Sequence, residues 1–194
     1  MSGTQRHVRK NRRDWDRTSD EYQREHASQL NRWDRPAWGT WGTLESKLKV
    51  LGDVEGKRLL EFGCGAAQWS ITLARMGAHP VGMDLSIRQL EHAKELMARA
   101  GVSFPLVNGD AEGTPFRDET FDVVISTEML EHALDWRRVV SNMKRVTGPN
   151  GEITVRIVDL CPECPAGDLD LVGMALRAER KTVDKITAGL RLHP

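Results

Sequence analysis

Between residues 57 and 155 short apolar runs alternate with stretches of helical spacing, and few folds accommodate that alternation. Arg58-Leu59-Leu60-Glu61-Phe62 is a short apolar run closed by a glycine loop, which predicts a buried strand. From Gln68 to Met76, Trp69, Leu73 and Met76 recur at helical spacing. Pro80 to Asp84 is a second short strand. Ser86 and Gln89 then have capping-box spacing, with Leu90, Ala93, Met97 and Ala100 forming one helical stripe. Gly101 stands where a helix C-terminus favours positive φ. Phe104 to Val107 predicts a third strand and Phe121 to Ser126 a fourth. A helix from Asp135 to Val146 places Val139, Val140, Met143 and Val146 on one face, and Glu152 to Val155 is a fifth strand. Strand and helix in strict succession imply right-handed crossovers and a parallel sheet, and 194 residues suffice for one such α/β domain.

The chemistry concentrates in the loops that end these strands. Gly63-Cys64-Gly65 follows a strand and opens a helix, the setting of a nucleotide loop, although glycines there also serve tight packing. Asp84 ends the next strand, 19 residues after Gly65, where a carboxylate can accept the two hydroxyls of an adenosine ribose. Both features fit a dinucleotide as well as S-adenosylmethionine. Glu61 separates the two, because it lies two residues before the loop, where a dinucleotide would place its pyrophosphate. A carboxylate there repels phosphate and attracts the ammonium of a methionine moiety. Gln68 also occupies the place of the third glycine of a dinucleotide fingerprint. After the third strand, Asp110 can accept from an adenine amino group while the Ala111 N–H donates to the ring. Taken alone, Asp110 reads better as a plain turn residue.

Leu60 to Gly65, the acid of Gly82-Met83-Asp84-Leu85, Gly109 to Glu112 with Pro115-Phe116, and Phe121 to Val124 resemble the successive motifs of class I S-adenosylmethionine-dependent methyltransferases. Thr127-Glu128-Met129-Leu130-Glu131-His132 resembles the segment after strand four in the UbiE-like, or type 11, branch. The resemblance covers about residues 21–155 and implies a Rossmann-like, doubly wound, mostly parallel sheet with an N-terminal helical cap. It implies cofactor contacts at Glu61, Gly63, Asp84, Leu85, Asp110 and Ala111, to which Cys64, Gly65 and Thr127 are added from the same loops. Tyr22 and the aromatic stretch after it resemble the cap that covers the cofactor. Methyl transfer needs alignment first and a base only when the acceptor must lose a proton. His132, Glu128, Glu131 and His26 are the candidates for positioning or deprotonating it, each weighed against an ordinary helix-start role. Cys64 reads as a small packed residue, and Cys161-Pro162-Glu163-Cys164 lacks the second pair that a structural zinc requires, so no metal is expected.

Charge and composition narrow the partners. Lysine plus arginine and aspartate plus glutamate both number 28, so no global field draws the chain to nucleic acid or membrane. Residues 1–20, with Arg6, Arg9, Lys10, Arg12 and Arg13 but no acid before Asp14, are expected as a flexible basic arm. Residues 21–56, holding Tyr22, Trp33, Trp38 and Trp41, are expected as the cap, and 57–155 as the cofactor-binding domain. No apolar run is long enough for a membrane span or a signal peptide, and three cysteines suit a reducing compartment, so a cytoplasmic protein is expected. Residues 156–194 depart from the family: no pair of apolar strands stands where strands six and seven belong, and Leu171 to Leu190 predicts a helix. An abbreviated or truncated C-terminus with an unpaired fifth strand is therefore expected. The leading reading is a methyltransferase for a small-molecule acceptor. A nucleic-acid methyltransferase and a catalytically silent cofactor-binding protein are the alternatives, and neither acceptor nor oligomeric state is legible.

Overall fold

The computed structural model describes residues 3–31, 33–34, 36–38, 43–127, 129–156 and 175–179. A long helix α1 (Gly3–Leu30) leads into a two-stranded antiparallel ribbon of β1 (Ala37–Trp38) and β2 (Thr43–Leu44), then the short helix α2 (Glu45–Leu48). The domain proper runs β3 (Arg58–Phe62), α3 (Gln68–Arg75), β4 (His79–Asp84), α4 (Ile87–Ala100), β5 (Leu106–Asn108), β6 (Phe121–Thr127), α5 (Trp136–Val146) and β7 (Thr147–Arg156). A last strand, β8 (Ala175–Glu179), completes a six-stranded sheet in the order β5-β4-β3-β6-β7-β8. Five strands are parallel, and β8 runs antiparallel to β7. The chain winds outward from β3 toward β5, then returns to lay β6 on the other side of β3. The crevice beyond the carboxyl ends of β3 and β6 is therefore the topological switch point.

Side-chain alternation along β3 sorts the two layers. Leu60 and Phe62 face a cluster built with Val139, Val140, Met143 and Val146 of α5, all buried on the predicted stripe. Each such side chain contributes roughly 1.5–3 kcal/mol on burial. Leu59 faces the opposite side, against Leu73 of α3 and Leu51 and Val54 of the connecting segment. Farther along that layer, α3 and α4 meet through Ala66, Ile71, Leu96 and Met97. The caps follow the sequence: the Ser86 hydroxyl accepts from Gln89 N, the Asp135 carboxylate accepts from Arg138 N, and Gly101 closes α4 at φ +68°.

Two expectations are overturned. Residues 3–20, expected as part of a flexible arm, form the greater part of α1. The inner face of this helix carries Asn11, Asp16, Ser19 and Gln23, buried or bonded to the domain, between the cavity-lining Val8, Trp15 and Tyr22, so its apolar positions are too sparse to announce a helix. The helix expected between Leu171 and Leu190 contains β8 instead. Ala, Leu, Arg and Glu are all good helix formers, but the open edge of β7 offers a ladder from Glu152↔Glu179 to Arg156↔Ala175. Pairing overrides local preference, and β7 is not the edge of the sheet. The rest of the 171–190 stretch, like Cys161 and Cys164, lies outside the described residues.

The β6–β7 register breaks between Phe121↔Thr147 and Val123↔Glu152, and Gly151 sits in the break. A Cβ on Gly151 would stand 2.5 Å from Thr147 Cγ2 and 2.8 Å from the Asp122 carbonyl. Gly151→Ala is expected to lower unfolding stability by about 1–3 kcal/mol in denaturant melts; an unchanged midpoint would show that the break relaxes freely.

Candidate active site

A cavity of ≈ 450 Å³ opens at the switch point, within the range of small-molecule and cofactor sites. Glu61, Gly63, Cys64, Gly65, Asp84, Leu85, Asp110, Ala111 and Thr127 all line it, and α1 adds Tyr22 from above. The nine loop residues were read from four strand ends far apart in the chain, and the sheet brings every one to the same cavity.

Glu61 ends β3 on the α3 side and is 1 % exposed. Its Oε2 accepts from both Ser70 N (2.9 Å) and Ser70 Oγ (2.5 Å). Ser70 N is one of the first amides of α3, which lacks an intrahelical partner, so the strand's carboxylate caps the helix. Burial outweighs this help and pushes the carboxyl up from an ordinary 4.5 to about 8, with the nearby Asp84 charge adding to the effect. Asp84 is likewise raised, first by burial, although Ser86 N (to Oδ1, 2.8 Å) and Gly65 N (to Oδ2, 2.8 Å) donate to it. Two carboxylates thus face one cavity with lone pairs to spare.

The glycine loop between them turns tightly. Gly63 (φ +66°), Gly65 (φ +53°) and Ala67 (φ +59°) are all left-handed. At Gly63 there is a second constraint, since a Cβ would collide with the Met129 side chain. Cys64 between them is buried, and burial pushes its thiol well above its ordinary range, which suits a packed side chain. Across the cavity the Asp110 carboxylate accepts from Glu112 N (2.9 Å) and starts a single 3-10 turn, Ala111–Gly113. The turn role foreseen for Asp110 is therefore present, with its second oxygen not engaged in that bond.

The roof is α1. Trp15 meets Tyr22 edge-on at 5.5 Å between ring centroids and His132 edge-on at 5.3 Å. His132 lines the cavity, and its carbonyl accepts from His7 Nε2 (3.3 Å) and Asn11 Nδ2 (3.2 Å). His26 is placed otherwise: its ring stacks on Tyr22, its Nδ1 lies 2.9 Å from the Tyr22 carbonyl, and it does not line the cavity. Glu128 and the side chain of Glu131 lie outside the described residues. Sequence reasoning missed the residues that seat the roof. Asp16 accepts from Ser86 Oγ (2.6 Å), Asp20 from Arg88 Nε (2.6 Å), and an amide relay runs Gln68–Gln23–Gln89 at 2.8 and 2.9 Å. The signal for them is their recurrence at positions 16, 20 and 23, one helix face, visible only once α1 is known to be a helix.

The sign of the Glu61 effect is testable. Its folded value lies above its ordinary one, so the stability it contributes is full below about pH 4.5 and is lost as pH rises to about 8. Relative to Glu61→Gln, which keeps an oxygen for Ser70, the ligand-free protein is expected to lose stability across that window by at most ~1.4 kcal/mol per pH unit. Denaturant melts of both proteins at each pH unit measure this, and parallel curves would refute the assignment.

Comparison with known proteins places this geometry. The family model described as "Methyltransferase domain" matches residues 60–155. The ubiquinone biosynthesis O-methyltransferase of Rhizobium johnstonii is 35% identical over 111 residues, covering 57% of this chain and 45% of that protein. The demethylmenaquinone methyltransferase of Bacillus subtilis is 30% identical over 113 residues, covering 56% and 48%. The chain spans about half the length of the curated relatives it matches. Among solved structures, the PH0226 protein of Pyrococcus horikoshii superposes with a TM-score of 0.56 at 29% identity over 60% of this chain and 52% of that one. An S-adenosylmethionine-dependent methyltransferase from Thermotoga maritima does so at 0.53 and 25%, over 75% and 60%. The match falls on the strands, the glycine loop and the carboxylates described above, and residues 60–155 form a domain of the class I S-adenosylmethionine-dependent methyltransferase kind, similar to its UbiE-like, type 11 branch.

Proposed function

We propose that the chain is an S-adenosylmethionine-dependent methyltransferase acting on a small-molecule acceptor. Glu61 carries this reading: a buried carboxylate in the wall of the cavity, costly to ionise alone, which a ligand ammonium would compensate and a ligand phosphate would not. Asp84 would accept from the ribose hydroxyls beside its two backbone bonds. Asp110 and the Ala111 N–H would hold the adenine, with Leu85, Cys64 and Thr127 as walls and Gly63 and Gly65 giving the backbone its close approach. These residue types fit the cofactor at both of its polar ends.

When bound, the cofactor supplies an electrophilic methyl on a sulfonium for in-line transfer to a nucleophile. The chain's residues would then orient the acceptor and exclude water, which alone can lower a barrier by roughly 7–11 kcal/mol. Trp15 and Tyr22 present aromatic surface to the cavity, suited to a planar acceptor, and the names of the curated relatives point to quinone-type molecules. His132 would hold or take an acceptor proton, a reading supported by its place in the cavity wall and by the bonds from α1 to its carbonyl. The nucleic-acid alternative finds less support, since Trp15 turns toward the cavity and Trp136 is buried in the core.

Calorimetry with S-adenosylhomocysteine tests the cofactor half. The wild type is expected to bind, and Glu61→Gln to bind roughly 10–100-fold more weakly through loss of one charged hydrogen bond. No binding by wild type would overturn the proposal. Methyl-labelled cofactor incubated with cell extract tests the acceptor half: label is expected among small metabolites, and label confined to nucleic acid would overturn it.

A further inference from the structure

We infer that Glu112 is a positioning residue that couples occupancy of the adenine end of the cavity to the seating of the His132 loop and, through it, of α1. The inference rests on the cofactor reading above. Glu112 stands in the turn that Asp110 caps, and it is 4 % exposed. Its Oε1 reaches across to accept from Leu134 N (2.9 Å) and Asp135 N (3.2 Å), two of the three residues that lead from His132 into α5. Its Oε2 is buried with no hydrogen-bond partner among the described residues. A buried carboxylate oxygen without a partner is costly, and such atoms persist where they have a task.

The same turn is gripped from α5, where Asn142 Nδ2 donates to the Ala111 carbonyl (2.8 Å). Beyond Leu134, the His132 carbonyl receives His7 and Asn11 of α1. Two sets of hydrogen bonds, joined by the backbone of residues 132–134, therefore link the adenine-side turn to the roof helix. Both ends of the path line the cavity: Ala111 and Glu112 at one, His132, His7 and Asn11 at the other. A ligand that orders the 110–113 turn fixes the acceptor for the Leu134 and Asp135 amides. The loop that the methyl acceptor meets is then ordered once, when the cofactor enters, and the acceptor does not have to order it again.

Amide hydrogen exchange with S-adenosylhomocysteine as the probe tests this. In the wild type, saturation is expected to slow exchange at Leu134 and Asp135 about tenfold or more. Glu112→Ala, saturated with the same probe, is expected to lose that slowing, and Glu112→Gln, which keeps a carbonyl oxygen in place, to restore it. A merely structural Glu112 would leave exchange at 134 and 135 independent of the probe. The inference is overturned if wild type binds by calorimetry without slowing these amides, or if Glu112→Ala slows them equally. The wild-type measurement decides the matter even if Glu112→Ala does not fold, and failure of wild type to bind overturns the cofactor reading and this inference together.

Discussion

The bond between Glu61 and Ser70 is what the cavity depends on. It ties the carboxyl end of β3 to the first turn of α3 and so fixes the angle at which the glycine loop leaves the sheet. Both donors fall on one oxygen, Oε2, which leaves Oε1, on a residue that lines the cavity, without a hydrogen bond among the described residues. One carboxylate therefore has a structural half and a vacant half. The structural half explains why a group so costly to bury is tolerated in the unliganded fold, and the vacant half explains why a cation is the natural complement. Helix capping and cation binding are usually weighed as rival accounts of an acid at such a place; here the geometry lets both hold at once.

From that anchor the remaining site residues follow with little freedom. Gly65 N donates to Asp84, so the loop that Glu61 fixes also sets the tip of β4. Ser86, two residues on, donates its amide to Asp84 and its hydroxyl to Asp16 of α1. The cavity floor and its roof are thus joined through three successive carboxylates, each bonded to backbone or hydroxyl and none paired to a cation among the bonds that form this path.

What was legible in the sequence is what apolar burial controls. The stripe Val139, Val140, Met143 and Val146, the β3 and β6 strands, and the caps at Ser86 and Gly101 follow from period and turn chemistry, and the structure reproduces them. The carboxylates at strand ends were legible because their spacing from the glycine loop is set by the βαβ unit. Two things were not. The first half of α1 docks with Asn11, Asp16 and Ser19, residues that read as solvent-facing in any window. The strand β8 is composed of helix formers and owes its form to a partner edge about twenty residues earlier in the chain. In both places the deciding partner is remote in sequence, so no local pattern records it. Glu112 stood in a recognised motif, but its role was not legible for a related reason: its two partners, at Leu134 and Asp135, are backbone amides, which carry no residue identity.

The polar docking of α1 has a consequence for how the cavity is covered. The bonds it makes to the start of α4 join hydroxyls, amides, carboxylates and a guanidinium, all groups that water serves well when they part. Separating that contact trades one set of hydrogen bonds for another and uncovers little of the apolar core beneath, whose clusters are closed by α3, α4 and α5. At this seam the roof is held by polar bonds, whereas the sheet beneath is held by buried apolar clusters. The strength of that seam is therefore a matter of hydration, sensitive to ionic strength and to small polar solutes in a way that the apolar core of the domain is not.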